Sequence, residues 1–411
     1  MKNFFKTYKS TIILLAAIIV GAIVGIVFGE KAAVLSPLGD VFLNLMFVAI
    51  VPLIFVSIAS SISKMKQPKR LGKIMATIVG VFVVTSLVAV LVGLASTYSF
   101  KLVNTDDGEE IKASLESSEE SEVESEDLSI LERTVSVLTV KDFSDLFSKN
   151  NLIALLVVSV MVGLAINMSG EKGKPVQDFL ISANDVIINF IKIIMYYAPI
   201  GLGCYFAALV GTYGASIAVG YAKTFIIYTV VCILFYVLVY SLYAFLAAGR
   251  KGVKAFWLNI IPATLTALAT CSSAASIAVN VEASKKLGVS DDIAETLIPL
   301  GTSFHKDGSI IGSVFKIMFL VYLFGTPVGV FKVLAVSLLV TLLVTAVPIG
   351  GGTISEMMIL TMMGFPVNAL PILTIIATII DAPATVLNVI GDTASSMIAA
   401  RVVDGKDWMK K

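Results

Sequence analysis

Residues 254–288 read Lys-Ala-Phe-Trp-Leu-Asn-Ile-Ile-Pro-Ala-Thr-Leu-Thr-Ala-Leu-Ala-Thr, then Cys271-Ser-Ser-Ala-Ala-Ser276, then Ile-Ala-Val-Asn-Val-Glu-Ala-Ser-Lys-Lys-Leu-Gly. Each arm is too short to cross a hydrocarbon core about 30 Å thick, which takes roughly 20 helical residues. Both ends are polar and carry lysines, so the small, hydroxyl-rich tip is expected at membrane depth, as a re-entrant hairpin. Residues 327–364 repeat the pattern from the other side. An apolar arm runs into Val347-Pro-Ile-Gly-Gly-Gly-Thr-Ile-Ser355, and a second arm returns through Glu356-Met-Met-Ile-Leu-Thr-Met-Met. Irregular backbone at that depth survives only where protein or a water-lined cavity satisfies it. Glycine and serine allow other backbone or a ligand to come close.

Each hairpin precedes a helix with polar groups in its middle: Gly301-Thr-Ser-Phe-His-Lys-Asp-Gly-Ser309, and Asp381-Ala-Pro-Ala-Thr-Val-Leu-Asn-Val-Ile-Gly-Asp392. Ionisable side chains inside spans are expensive and mark function by default. Hairpin, broken helix, hairpin, broken helix, entered from opposite faces, form an inverted repeat; such repeats place a substrate near the bilayer midplane between half-helix ends.

Outward from this core, the 411 residues are 57% hydrophobic and 14% charged, against about 25% charged in a soluble domain. Uncharged runs at Thr11–Phe28, Phe225–Ala248 and Val333–Pro348 imply several spans. Spanning helices are expected near 11–28, 37–62, 72–101, 150–168, 186–212 and 219–247. The first follows Lys2, Lys6 and Lys9 but is too long for a signal h-region and lacks a small-x-small cleavage site. The loops Lys64–Lys73 and Arg250–Lys254 and the C-terminal end, with Arg401, Lys406, Lys410 and Lys411, are basic. The positive-inside bias then puts both termini in the cytoplasm and these short basic loops against lipid headgroups rather than nucleic acid. Residues 104–133 form an acidic extracellular insertion, crowded around Glu119–Asp127 and expected to be disordered. The chain divides into 1–103, the insertion, 134–247 and a core at 248–411. Cys204, Cys232 and Cys271 have no metal-ligand spacing.

These features, with Met46-Phe-Val-Ala-Ile-Val-Pro-Leu-Ile-Phe55 and Tyr196-Tyr-Ala-Pro-Ile-Gly201, resemble the dicarboxylate/amino acid:cation symporters, the glutamate-transporter family that includes the archaeal aspartate transporters. The resemblance implies an all-α membrane fold of eight spans plus two re-entrant hairpins, assembled as a trimer in the inner or plasma membrane. Scaffold helices would hold a transport domain that moves as an elevator. It implies a substrate site built from Asp381, for an ammonium group, with Thr385 and Asn388 on the same face at separations of four and seven residues. The tips contribute Ser272, Ser273, Gly350 and Gly351. It also implies two sodium sites: Asp392, Asn388 and the Gly301 carbonyl at one, Asp307, Thr85, Ser86 and Ser303 at the other.

The departures from the family pattern carry the substrate assignment. Acidic-substrate members place an arginine where this chain has Ala384, and archaeal relatives place one where it has Cys271. A planar guanidinium is what suits a second carboxylate. Without it, a small neutral amino acid such as serine, threonine or alanine is expected, and an acidic amino acid or dicarboxylate is the alternative. The family's Asn-Met-Asp run is His305-Lys306-Asp307 here, and an aromatic hydroxyl is replaced by Phe82. His305 and Lys306 are therefore coupling candidates: Lys306 as a tethered cation against Asp307, His305 as a proton carrier or a neutral core residue. An aspartate-dyad enzyme built on Asp307 and Asp392 is disfavoured, since Lys306 spoils a shared proton and the hairpins would have no purpose. A solute-gated channel is the remaining rival.

Overall fold

The computed structural model describes residues 9–63, 72–103, 112, 115, 139–148, 151–344 and 351–410. Nearly all of the acidic insertion, residues 64–71 of the basic loop and the second hairpin tip at 345–350, Gly350 included, lie outside the described residues. Among the described residues the chain is helical, with no strand.

The first helices are α1 (Lys9–Phe28), α2 (Ser36–Ser63), α3 (Gly72–Ser99), α4 (Leu152–Met168), α5 (Lys174–Tyr213), α6 (Ala215–Leu234) and α7 (Tyr240–Asn259). The hairpin region follows as α8 (Ile261–Thr270) and α9 (Ser273–Lys286), then α10 (Asp291–Phe304) and α11 (Asp307–Leu323). The chain ends with α12 (Val330–Val344), α13 (Gly351–Met363) and the long α14 (Leu370–Val403).

Two groups of helices form. In one, α1 and α2 lie along α5, and α2 also packs on α4. In the other, α14 is the central mast, touched by α3, α6 to α11 and α13. Ile19, Val20, Ile23 and Val27 of α1, and Ile226, Ile233 and Leu234 of α6, face outward and exposed. Such a surface suits hydrocarbon. By length and hydropathy, Ile12–Phe42, Ala76–Ser99, Ile217–Asn259 and Val367–Val403 are each able to cross a membrane. A fifth crossing comes from Gly170–Ile194 with Tyr196–Thr212, bent by 50°. The bend falls at Met195, the residue whose carbonyl the ring of Pro199 excludes from its usual hydrogen bond. The chain is a multi-pass membrane protein.

The segment around Cys271 folds as a helix–turn–helix. α8 and α9 pack on each other across a turn in which Cys271 adopts φ 46°, ψ 35°, the one non-glycine residue with positive φ among those described. Ser272 is extended and caps α9, its hydroxyl accepting from the Ala275 N–H at 3.2 Å. The two arms α12 and α13 also pack together. The α6–α7 span stops at Ala248–Gly249, where the backbone leaves helical geometry. The indole of Trp408 donates to the Ala247 carbonyl there, at 3.1 Å.

One expectation fails. The second interrupted helix is unbroken: α14 runs from Leu370 to Val403 with Pro383 inside it. Pro383 fits helical φ but loses its own N–H bond and crowds the carbonyl four residues back; the helix continues through it all the same, with Asn388, Asp392 and Thr393 partnered on neighbouring elements. The first interruption is real, since His305 (φ −131°, ψ 112°) and Lys306 (φ −143°, ψ 74°) are extended between α10 and α11.

α11 crosses α14 so tightly at Gly308 that a methyl there would collide with the Ala384 backbone oxygen. At Gly312 it would meet only the flexible end of Ile380, at 3.0 Å. Thermal melts in detergent should therefore show Gly308→Ala destabilised by about 1–3 kcal/mol, the usual effect of overpacking, and Gly312→Ala close to the parent.

Candidate functional site

The break between α10 and α11 delivers a fully buried imidazole into the centre of the second helix group. His305 Nδ1 lies 2.9 Å from Asp392 Oδ1 on α14. On the other edge, Nε2 lies 2.7 Å from the Thr85 hydroxyl on α3 and 3.1 Å from Asp307 Oδ1 on α11. The ring stacks on Phe82, centroids 4.4 Å apart and planes 11° from parallel. Backbone geometry supports the placement: the His305 N–H donates to the Gly301 carbonyl at 2.8 Å, closing the last turn of α10. Gly391 leaves room for the ring, because a Cβ there would stand 2.8 Å from Asp307 Oδ2 and 3.3 Å from His305 Cε1. The Tyr240 hydroxyl lies within reach of both Asp307 Oδ2 (3.1 Å) and the Leu387 carbonyl (2.7 Å).

A second polar patch runs up α14. Asn388 clamps the start of α11, its Oδ1 accepting from the Ser309 N–H and its Nδ2 donating to the Ser309 hydroxyl, both at 3.1 Å. One turn further, Thr385 is buried, and Asp381 beyond it is open to the surroundings with no ion pair among the described residues.

The first hairpin is pinned to this face. Asn280 donates to the Val389 carbonyl at 2.8 Å and accepts from Thr393, and Ser284 pairs with Ser396 at 3.2 Å. Position 280 meets 389–393 and position 284 meets 396, so α9 and α14 run parallel. At 1.5 Å per residue in each helix, the same register carries Ser272 and Ser273 to the level of Thr385. Ser272 is already engaged as the α9 cap. Gly351 opens α13, beside the undescribed tip.

The residues expected to hold sodium are engaged with protein groups: Thr85, Asp307 and Asp392 converge on a ring bearing two nitrogens, the Gly301 carbonyl accepts a backbone N–H with one of its two lone pairs, and Asn388 bonds to Ser309. Hard cations want oxygens. Ser86 is buried on α3, and Ser303 lies in the last turn of α10. Lys306 makes no ion pair with Asp307 among the described residues; the contact belongs to His305.

Sequence reading passed over one buried pair. Lys316 of α11 meets Glu356 of α13 at 3.4 Å, and Thr374 of α14 donates to the other Glu356 oxygen at 3.0 Å. A lone lysine in Gly312–Leu323 and a lone glutamate in Gly351–Met363 were the available signals.

Helices long and apolar enough to cross a membrane, around a charged, buried centre, mark a multi-pass membrane protein. The family profile described as Sodium:dicarboxylate symporter family matches residues 11–402, and the chain belongs to that family. It is 27% identical over 398 residues to a proton/sodium-glutamate symport protein of Bacillus caldotenax, covering 93% of this chain and 92% of that one. It is 27% identical over 418 residues to a C4-dicarboxylate transport protein of Pseudomonas syringae pv. tomato, covering 98% and 88%. A C4-dicarboxylate transport protein 2 of Pseudomonas aeruginosa is 28% identical over 373 residues, covering 89% and 83%.

Removing one partner of a buried ion pair strands the other and typically costs about 3–5 kcal/mol, whereas replacing both by apolar residues is often neutral. Lys316→Met should thus unfold at markedly lower denaturant than the parent, and the Lys316→Met, Glu356→Leu double variant should recover most of the loss. Equal stability of the two variants would deny the pair its structural role.

Proposed function

We propose that this chain is a cation-coupled secondary symporter that imports a small amino acid with an uncharged side chain. One observation carries the substrate assignment: no arginine lies between Arg250 and Arg401, the stretch that contains both hairpins, the broken helix and α14. A second substrate carboxylate would find no bidentate partner there. Asp381, accessible and without an ion pair among the described residues, offers a carboxylate to an ammonium group. The amide of Asn388, the hydroxyl of Thr385 and the tip serines at the same level supply neutral polar contacts for the rest of the molecule.

The wider architecture of this reading has eight spans and two re-entrant hairpins, with both termini cytoplasmic in the inner or plasma membrane. Three copies associate through the α1, α2, α4 and α5 group, while the helices around α14 move as a body and carry the solute. The grouping of contacts into two sets supports this division. Uphill movement is driven by a gradient of sodium or protons. The names of the relatives favour a second reading, in which the substrate is glutamate or a C4-dicarboxylate.

A thermal-shift panel of purified protein against the twenty amino acids and the C4-dicarboxylates separates the two readings, because a ligand bound only by the folded state raises the melting temperature. Serine, threonine or alanine should stabilise, and aspartate, glutamate and succinate should not; the reverse result gives the protein to the acidic substrates. Uptake into liposomes against a concentration gradient then tests symport. Asp381→Asn should weaken amino acid binding about 10- to 100-fold, the worth of one charge-assisted hydrogen bond, while leaving the melting temperature of ligand-free protein near that of the parent.

A further inference from the structure

His305, Asp307, Asp392, Thr85 and Phe82 come from three separate stretches of chain and close on one another with no polar atom of the ring unused. The Thr85 hydroxyl also lies 3.0 and 3.1 Å from the carbonyls of Val81 and Phe82 on its own helix. Each ring nitrogen has a carboxylate oxygen at contact distance, Nδ1 that of Asp392 at 2.9 Å and Nε2 that of Asp307 at 3.1 Å. Phe82, which has no hydroxyl, covers a face of the imidazole.

We propose that the His305 side chain is the permanent occupant of the position between Asp307, Asp392 and Thr85, and that the carrier binds no sodium ion there. The inference rests on the symporter reading and narrows it: one ring stands where oxygen atoms of two expected cation sites would otherwise meet. A cation in that position would have to displace the ring from Asp392, Asp307 and Thr85 together and unstack it from Phe82. A mobile ion has been exchanged for a covalently attached group that accompanies its carboxylates through every step, so the electrical charge moved per substrate falls by one ion.

His305 is the only histidine in the chain, so full-length protein made with 15N-labelled histidine reports on a single ring. The ring nitrogen resonances should stay in place when choline is exchanged for sodium at constant ionic strength. A sodium-dependent shift of those resonances overturns the proposal. His305→Asn empties the ring volume and puts back a small oxygen-bearing side chain, so the Hill coefficient for sodium in substrate-induced thermal stabilisation should rise by one over the parent. An unchanged coefficient in folded His305→Asn protein also overturns it, and should that variant not fold, the resonance experiment on the parent decides. A protein that transports nothing in liposomes but keeps a sodium-insensitive ring would defeat the symporter reading and leave this occupancy standing.

Discussion

A carboxylate carried into a hydrocarbon interior needs a positive group at contact distance, because desolvating an isolated charge outweighs most of what packing returns. Asp307 and Asp392 are both fully buried. The imidazole of His305 opposes them from its two nitrogens, and in doing so it ties the break between α10 and α11 to α14 and, through Thr85, to α3. Three helices that share little sequence proximity are thereby held at one point. Lys316 and Glu356 repeat the solution a few turns away and tie α11 to α13.

The same constraint explains why one polar helix is broken and the other is not. At His305–Lys306 the side chain must reach across to two acids at once, and an extended backbone turns it inward. Along α14 three polar side chains find partners on adjacent elements: Asn388 on Ser309, Asp392 on His305, Thr393 on Asn280. A regular helix suffices there. Close approach of the backbones is what makes such partners available, as at Gly308 against Ala384 and at Gly391 beside Asp307.

Function follows from where this network stops. Below Asn388 the satisfied contacts give out, and Asp381 stands open near the level of the first hairpin tip. On the symporter reading, that accessible carboxylate stands at the end of the helix group that carries the solute. The second group of helices, gathered on α5, makes most of its contacts within itself and touches the first at fewer places, among them α1 and α5 against α14 and α2 and α4 against α13.

Long apolar runs were enough to establish a helical, multi-pass membrane protein, because hydrocarbon makes spans show themselves as runs of apolar residues. Asp307 and Asp392 were legible as ionisable groups in otherwise apolar runs, and Thr85 was marked by the family resemblance alone. Their partners were not legible. His305 and Lys306 are neighbours in the chain, and nothing in one dimension says which of them turns toward Asp307; the backbone angles at the break decide it. Lys316 and Glu356 are 40 residues apart, and the fate of Asn388 depended on how α11 packs against α14. Sequence determined what had to be buried, and only the packing of helices decided what each buried charge would face, because the pairing of charges is a property of distance in space and not of distance along the chain.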